Sequence, residues 1–346
     1  MKNLARLGTD FAVTLVGAFG LATAVLLFAG AEPLSAFSAL FRGSLGSLLR
    51  LGYVMNAWIP LTLCACGLIF TFRIGLWNIG VEGQVMMGAI LATWALRCYG
   101  EGGSPVLTVA AAFAAGMAGG ALWALLAGYL KTKGGVHEIF TGLGLNFVAQ
   151  AIILWLVFGP WKRAGVASMS GTETFSRDLW LPAVTAMRLS PAGLALVAAA
   201  LVLTAVLIRY SRAALRLKAL GNNERAAPMF GLRPQAYMLL AMAVAGGFAG
   251  LAGTIQAAGV YHRLIPAISS NYGYLALLVV MLANYRVAAV PLVAFFFACL
   301  NVGSIQLPMV LELDSSLSGV IQGALVLSAL AVHGWRSGIT KPGRAP

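Results

Sequence analysis

The stretch GYVMNAWIPLTLCACGLIFTFRIGLWNIGVEGQ, residues 52–84, decides how this chain is read. Residues 52–72 carry no charge, and about 20 apolar residues in a helix cross the ~30 Å hydrocarbon core of a bilayer. Arg73 closes the run, and Asn78, Glu82 and Gln84 then follow among Gly75, Gly80 and Gly83. Glycines at this density weaken a regular helix. Backbone groups released in this way cannot face lipid and must be buried in protein or line a wet cavity. A carboxylate in such a place is costly unless paired or hydrated, so it defaults to a functional hypothesis. Glu82 admits two readings, a structural one and a transport-lining one. In the first it pairs with Arg73 or accepts hydrogen bonds at the start of the third helix, where an acid is favoured.

The rest of the chain repeats the opening pattern. Residues 11–31, 110–130, 139–161 and 189–208 are also free of charge. Over all 346 residues 60% are hydrophobic and 10% charged, against roughly a quarter charged in soluble domains. These figures predict an all-α polytopic membrane protein with about ten transmembrane helices, at 11–30, 52–72, 79–98, 105–130, 139–159, 190–209, 236–260, 273–285, 287–304 and 318–335. The first run exceeds the ~7–15 apolar residues of a signal peptide and is read as a retained helix. The eighth and ninth segments are short and separated by little more than Asn284-Tyr285-Arg286.

With both termini in the cytoplasm, 15 of the 23 Lys and Arg fall inside and 8 outside, as the positive-inside rule requires. Orientation in a membrane therefore accounts for the net charge of +13, and no nucleic-acid partner is needed. The whole of 1–346 reads as a single membrane domain with outer loops at about 31–51 and 160–189 and an inner loop at about 209–236.

Other polar residues interrupt the apolar segments. Asn146 and Gln150 are four apart and share a helix face, one turn from Gly142-Leu143-Gly144. Asn146 is the strongest solute candidate among them, and the GGVHEIF stretch before it resembles a re-entry into the membrane. Asn56, Gln256, Asn301 and Gln322 are scattered, and interhelical hydrogen bonding accounts for most residues of this kind. Gly116/Gly120 and Gly246/Gly250 are small-xxx-small pairs suited to close helix packing within the chain. Cys64, Cys66, Cys98 and Cys299 have no His or carboxylate cluster beside them and read as small buried residues; no metal site is expected. No G-x-x-x-x-G-K-[ST] occurs, so ATP-driven transport would need its ATPase on another chain.

The inner loop, RYSRAALRLKALGNNERAAPMFGLRP, has apolar residues at helical spacing over 211–220. Gly221 is expected to stop that helix, Asn222-Asn223 to turn the chain, and 224–230 to form a second short helix ended by Gly231.

Three stretches carry a resemblance. FRIGLWNIGVEGQVMMGAI resembles the FNIGxEGQ signature of bacterial ABC importer permeases of the branched-chain amino acid and simple sugar superfamily. LKALGNNERAAPMFGL is similar to that superfamily's cytoplasmic GxNxxAAxxxGI segment, with AGGFAGLAG after it. GGVHEIFTGLGLNFVA resembles its GxNEVIxTxMLNYIA stretch, and the first and third are nearest the nucleoside-uptake branch. The agreement runs from about 50 to 335.

The resemblance implies a type II ABC importer-like permease in a bacterial cytoplasmic (inner) membrane. Asn78, Gly80, Glu82, Gly83 and Gln84 match the first signature, with Trp77 where Phe is usual, and Asn146 matches the asparagine of the third stretch. By that match these six residues are candidates for the translocation path or its gating. His137 and Gly144 depart from the third pattern. Gly221, Asn222, Ala226, Ala227 and Gly231 match the coupling segment; with Asn223 from its variable part they are the implied candidates for ATPase coupling. The implied partners are a cytoplasmic ABC ATPase that uses the ATP, a second permease, and an extracytoplasmic binding protein delivering a nucleoside or related small solute. The chain itself is expected to hold no cofactor and to catalyse no covalent step. The rival is an ion- or proton-coupled secondary transporter, which needs intramembrane acids as ion sites.

Overall fold

Proline sets where several helices begin. In a computed structural model, four helices have it as their first residue, where its fixed φ suits the helix and its missing N–H costs nothing. These four are α1 (Pro33–Leu45), α4 (Pro105–Thr132), α6 (Pro191–Tyr210) and α8 (Pro234–Ile255). The structure describes residues 32–98, 103–163, 165, 170–224 and 226–305, with isolated positions between 16 and 27 and between 323 and 334. The segments expected at 11–30 and 318–335 thus lie outside the described residues. The remaining helices are α2 (Leu48–Arg73), α3 (Val81–Cys98), α5 (Glu138–Phe158), α7 (Arg212–Asn222), α9 (Tyr272–Leu282) and α10 (Val290–Ser304). Among the described residues the only β pairing is an isolated bridge between Val184 and Leu189.

Among the described residues six spans are long and apolar enough to cross a membrane: α2, α4, α5, α6, α8 extended to Val260, and α10 extended back to Val287. The short eighth segment is an 11-residue helix, α9. α3 is less apolar because protein, rather than lipid, surrounds it, and 13 of its 18 residues are buried. Cys64 and Cys66 are buried in α2 as expected, whereas Cys98 at the end of α3 is exposed.

The chain divides into two units, Met1–Met55 with Phe295–Pro346, and Asn56–Ala294. Within the first, the chain at Gly303 passes so close to Leu40 of α1 that a side chain at 303 would lie 2.6 Å from the Leu40 carbonyl oxygen.

The second unit is built on α3, α4 and α8. A Cβ at Gly88 would collide with the backbone of Gly250, one at Gly120 with the carbonyl of Gly246, and one at Gly116 with the Thr254 hydroxyl. Close backbone approach of this kind replaces hydrophobic driving force inside a membrane. Both small-xxx-small pairs are spent on this seam. α3 and α8 run in the same direction, since Val85 meets Gly253 while Ala92, Ala95 and Leu96 gather around Ala258. α4 opposes them, with Ala112 beside Ala258 and Gly128 beside Leu239.

Beyond α8 the chain turns back. A π-helical turn, Gln256–Val260, ends the helix near the C-terminal end of α3, yet α9 begins against Glu82 at the N-terminal end of α3. Residues 261–271 therefore retrace α3 from Leu96 to Glu82, ~21 Å at 1.5 Å per residue, without forming a helix. Leu264 and Ile268 are buried against Met86, Ala89, Ile90 and Ile153 on the way. Left-handed residues mark the two ends, His262 (φ 53°) at one and Ser270 and Asn271 (φ 47° and 60°) at the other. Backbone groups of this segment find protein partners, as non-helical chain at membrane depth must. The Leu264 carbonyl accepts from Thr172 N–H at 2.9 Å, the His262 carbonyl from Phe175 N–H at 2.9 Å, and the Pro266 carbonyl from Gln150 Nε2 at 3.0 Å.

The re-entrant backbone is thus at 261–271 and not at GGVHEIF. That stretch is a short link from α4 to α5, turned by Gly135 (φ 68°) and fastened by an ion pair between Lys131 and Glu138. His137 is the N-cap of α5, accepting from Ile139 N–H at 3.4 Å.

Candidate functional site

Glu82 lies in the first turn of α3 and is 2% exposed. Its Oε1 accepts from Asn271 N–H at 3.0 Å and its Oε2 from Gly273 N–H at 2.8 Å. The carboxylate is a cap, but for α9 rather than for its own helix, and neither oxygen goes to Arg73. A helix start carries unpaired N–H groups and partial positive charge, so an anion is the natural partner there. Gly273 permits the approach: a Cβ on it would lie 2.6 Å from Glu82 Oε2 and 2.7 Å from Glu82 N. At its other end α9 leads to Tyr285, whose ring sits 5.4 Å from that of Phe72 near the end of α2.

Around this cap the other signature residues satisfy one another. Asn78 and Gln84 exchange two amide hydrogen bonds, Asn78 Nδ2 to Gln84 Oε1 at 3.1 Å and Gln84 Nε2 to Asn78 Oδ1 at 2.8 Å. Asn146 Oδ1 accepts from Gly83 N–H at 2.8 Å, and its Nδ2 donates to the Ile79 carbonyl at 2.9 Å and to the Tyr274 hydroxyl at 3.0 Å. Gly80 faces Gly142: a Cβ on Gly80 would lie 3.1 Å from the Gly142 Cα. The six residues proposed for the path, Asn78, Gly80, Glu82, Gly83, Gln84 and Asn146, thus meet in one buried knot joining α3, α5, α9 and the link between α2 and α3. Sequence reasoning missed Gly142, Asn271, Gly273 and Tyr274 as members. A legible signal existed for part of this, since Ser269-Ser270-Asn271 before an apolar run reads as a helix start.

The second cluster is the inner loop. Ser211 caps α7, accepting from Ala213 N–H at 3.0 Å. Gly221 does not stop the helix, which continues through Asn222. Its lack of a side chain serves a close approach instead, because a Cβ there would strike the carbonyl of Arg73. Asn223 Oδ1 accepts from Ala226 N–H at 3.0 Å, and a 3₁₀ turn, Ala227–Phe230, comes next with Gly231 (φ 72°) ending it. Ala227 is buried beneath the turn. The side chains displayed are Met229 and Phe230, 86% and 80% exposed, neither of which was a sequence candidate. Two large apolar residues inside a basic loop were the signal that could have found them.

Comparison with known proteins completes this picture. Residues 50–330 match the family described as branched-chain amino acid transport system / permease component, and the chain belongs to that family. It is 29% identical to the glucose ABC transporter permease protein TsgB13 of Haloferax volcanii, over 91% of this chain and 85% of that one. It is 25% identical to the guanosine ABC transporter permease protein NupP of Bacillus subtilis, over 94% of each chain. The nucleoside ABC transporter permease protein NupB of Lactococcus lactis is 24% identical over 88% of this chain and 85% of its own. The chain is a multi-pass membrane permease subunit of an ABC transporter, a class of subunit that works with a separate ATPase.

Proposed function

We propose that this chain forms, with a second permease, the path of an importer for a neutral polar solute of the nucleoside or sugar class. It would sit in the cytoplasmic membrane, receive solute from an extracytoplasmic binding protein, and draw power from an ATPase docked on the inner loop. The family membership over 50–330 carries this reading. The names of the relatives, which include glucose, guanosine and nucleoside permeases, support the solute class.

In this reading the knot around Glu82 is a brace. It fixes the start of α9, and with it residues 261–271, to α3 and α5, so that one rigid body can move when the motor closes. ATP-driven closure biases the permease between outward- and inward-facing states through differential binding to the two. The braced loop around Asn223 and Gly231 presents Met229 and Phe230 to the ATPase as the apolar anchors of that contact. A secondary transporter would need a deep acid free to exchange an ion, and the Glu82 oxygens are already engaged by backbone N–H groups.

The test is uptake of labelled guanosine and of glucose into vesicles containing the assembled transporter. ATP-dependent uptake of either supports the proposal. Uptake driven by an imposed proton gradient without ATP would overturn it.

A further inference from the structure

Gln256 is 1% exposed, and neither its Oε1 nor its Nε2 makes a hydrogen bond of ordinary length. Burying an amide in this condition is unfavourable, and the alternative of an apolar residue was open to a helix otherwise rich in Ala, Gly and Leu. Its position is also unusual in the backbone. It opens the π-helical turn Gln256–Val260, a geometry that is rare and concentrated at functional sites. The polar group beside it is the Tyr272 hydroxyl, with Ser270 and Tyr261 as the next neighbours of that phenol. Tyr272 is buried and opens α9, so its placement depends on the re-entrant segment and on the Glu82 cap.

We infer that Gln256 and Tyr272 form a solute-contacting pair, shut in the present conformation, that becomes accessible to solute in another state of the transport cycle. This inference rests on the solute class proposed above. The chemistry is specific. An amide offers a donor group and an acceptor side by side, and a phenol supplies a third hydrogen-bonding group. The pair fits a neutral solute with an adjacent donor and acceptor, whether a nucleobase edge or neighbouring sugar hydroxyls. It offers nothing to a carboxylate or phosphate that would offset the loss of that anion's hydration.

The experiment uses the complete transporter in vesicles, with Gln256→Leu and Tyr272→Phe, and measures KM and maximal rate for guanosine and for glucose alongside the melting temperature of each variant. Gln256→Leu should raise KM about tenfold, the loss of roughly one hydrogen bond to solute, with a melting temperature equal to or above that of the natural protein. Tyr272→Phe should raise KM for the same solute by a smaller factor. Which solute responds identifies the source of the donor–acceptor pair. An unchanged KM in both variants overturns the inference, and so does a fall in melting temperature with KM unchanged, which would make the amide structural. If the natural transporter carries neither solute, the proposed solute class itself fails and the pair falls with it.

Discussion

The carboxylate of Glu82 accepts a hydrogen bond from the backbone N–H of Gly273, 191 positions further along the chain, at 2.8 Å. An acid in the first turn of one helix thereby caps the start of another. Glu82→Leu should leave at least two buried N–H groups without an acceptor and cost ~3 kcal/mol. Glu82→Gln keeps one oxygen and should cost about half as much. Melting in detergent and uptake at equal abundance measure the two effects. Full uptake and an unchanged melting temperature in Glu82→Leu would show that the cap is dispensable.

Asn78 and Gln84 satisfy each other, so their contributions should be coupled. Each single alanine variant strands the partner amide and should lower stability by ~1–2 kcal/mol. The double variant should cost about 1 kcal/mol less than the sum of the singles. Denaturation of all four proteins closes the cycle, and strict additivity would separate the two side chains functionally.

Glycines in the same membrane domain should respond in opposite ways. A Cβ at Gly250 strikes the carbonyl of Gly116, so Gly250→Ala should destabilise by about 2–3 kcal/mol through overpacking of the α4–α8 seam. At Gly144, in α5, an added Cβ meets nothing within 4 Å. Gly144→Ala should be neutral or stabilising by up to ~1 kcal/mol, the helix-propensity gain. Thermal melts of the two variants side by side decide the matter.

Met229 and Phe230 are exposed, so replacing both with serine should leave the melting temperature unchanged while weakening ATPase binding roughly tenfold or more. Co-purification and titration of the ATPase provide the readout. Ala227→Asp is a poorer probe, because Ala227 is buried and the charge would disturb the turn before it touched a partner. Undiminished ATPase binding by the double serine variant would remove the loop tip from the contact.

The apolar runs announced the spans α2, α4, α5, α6 and α8 because insertion depends on the summed hydropathy of some 20 consecutive residues, a local property. The inner loop was legible for the same reason, since spacing and turn residues placed α7 and the turn ended by Gly231. Gly221 was the exception there. It looked like a helix stop and proved to be a point of contact with Arg73, because glycine marks close approach as readily as it ends a helix.

The sequence by itself determined that the chain crosses a membrane many times, where its basic residues gather, and which polar residues demand an explanation. Only the tertiary structure decided what those residues do. Nothing local to Glu82 reveals that its partners are Asn271 and Gly273, nor does Asn146 announce Tyr274. A carboxylate or an amide can be satisfied by any donor within about 3 Å, and which donor arrives is fixed by how the helices pack and where the chain turns back.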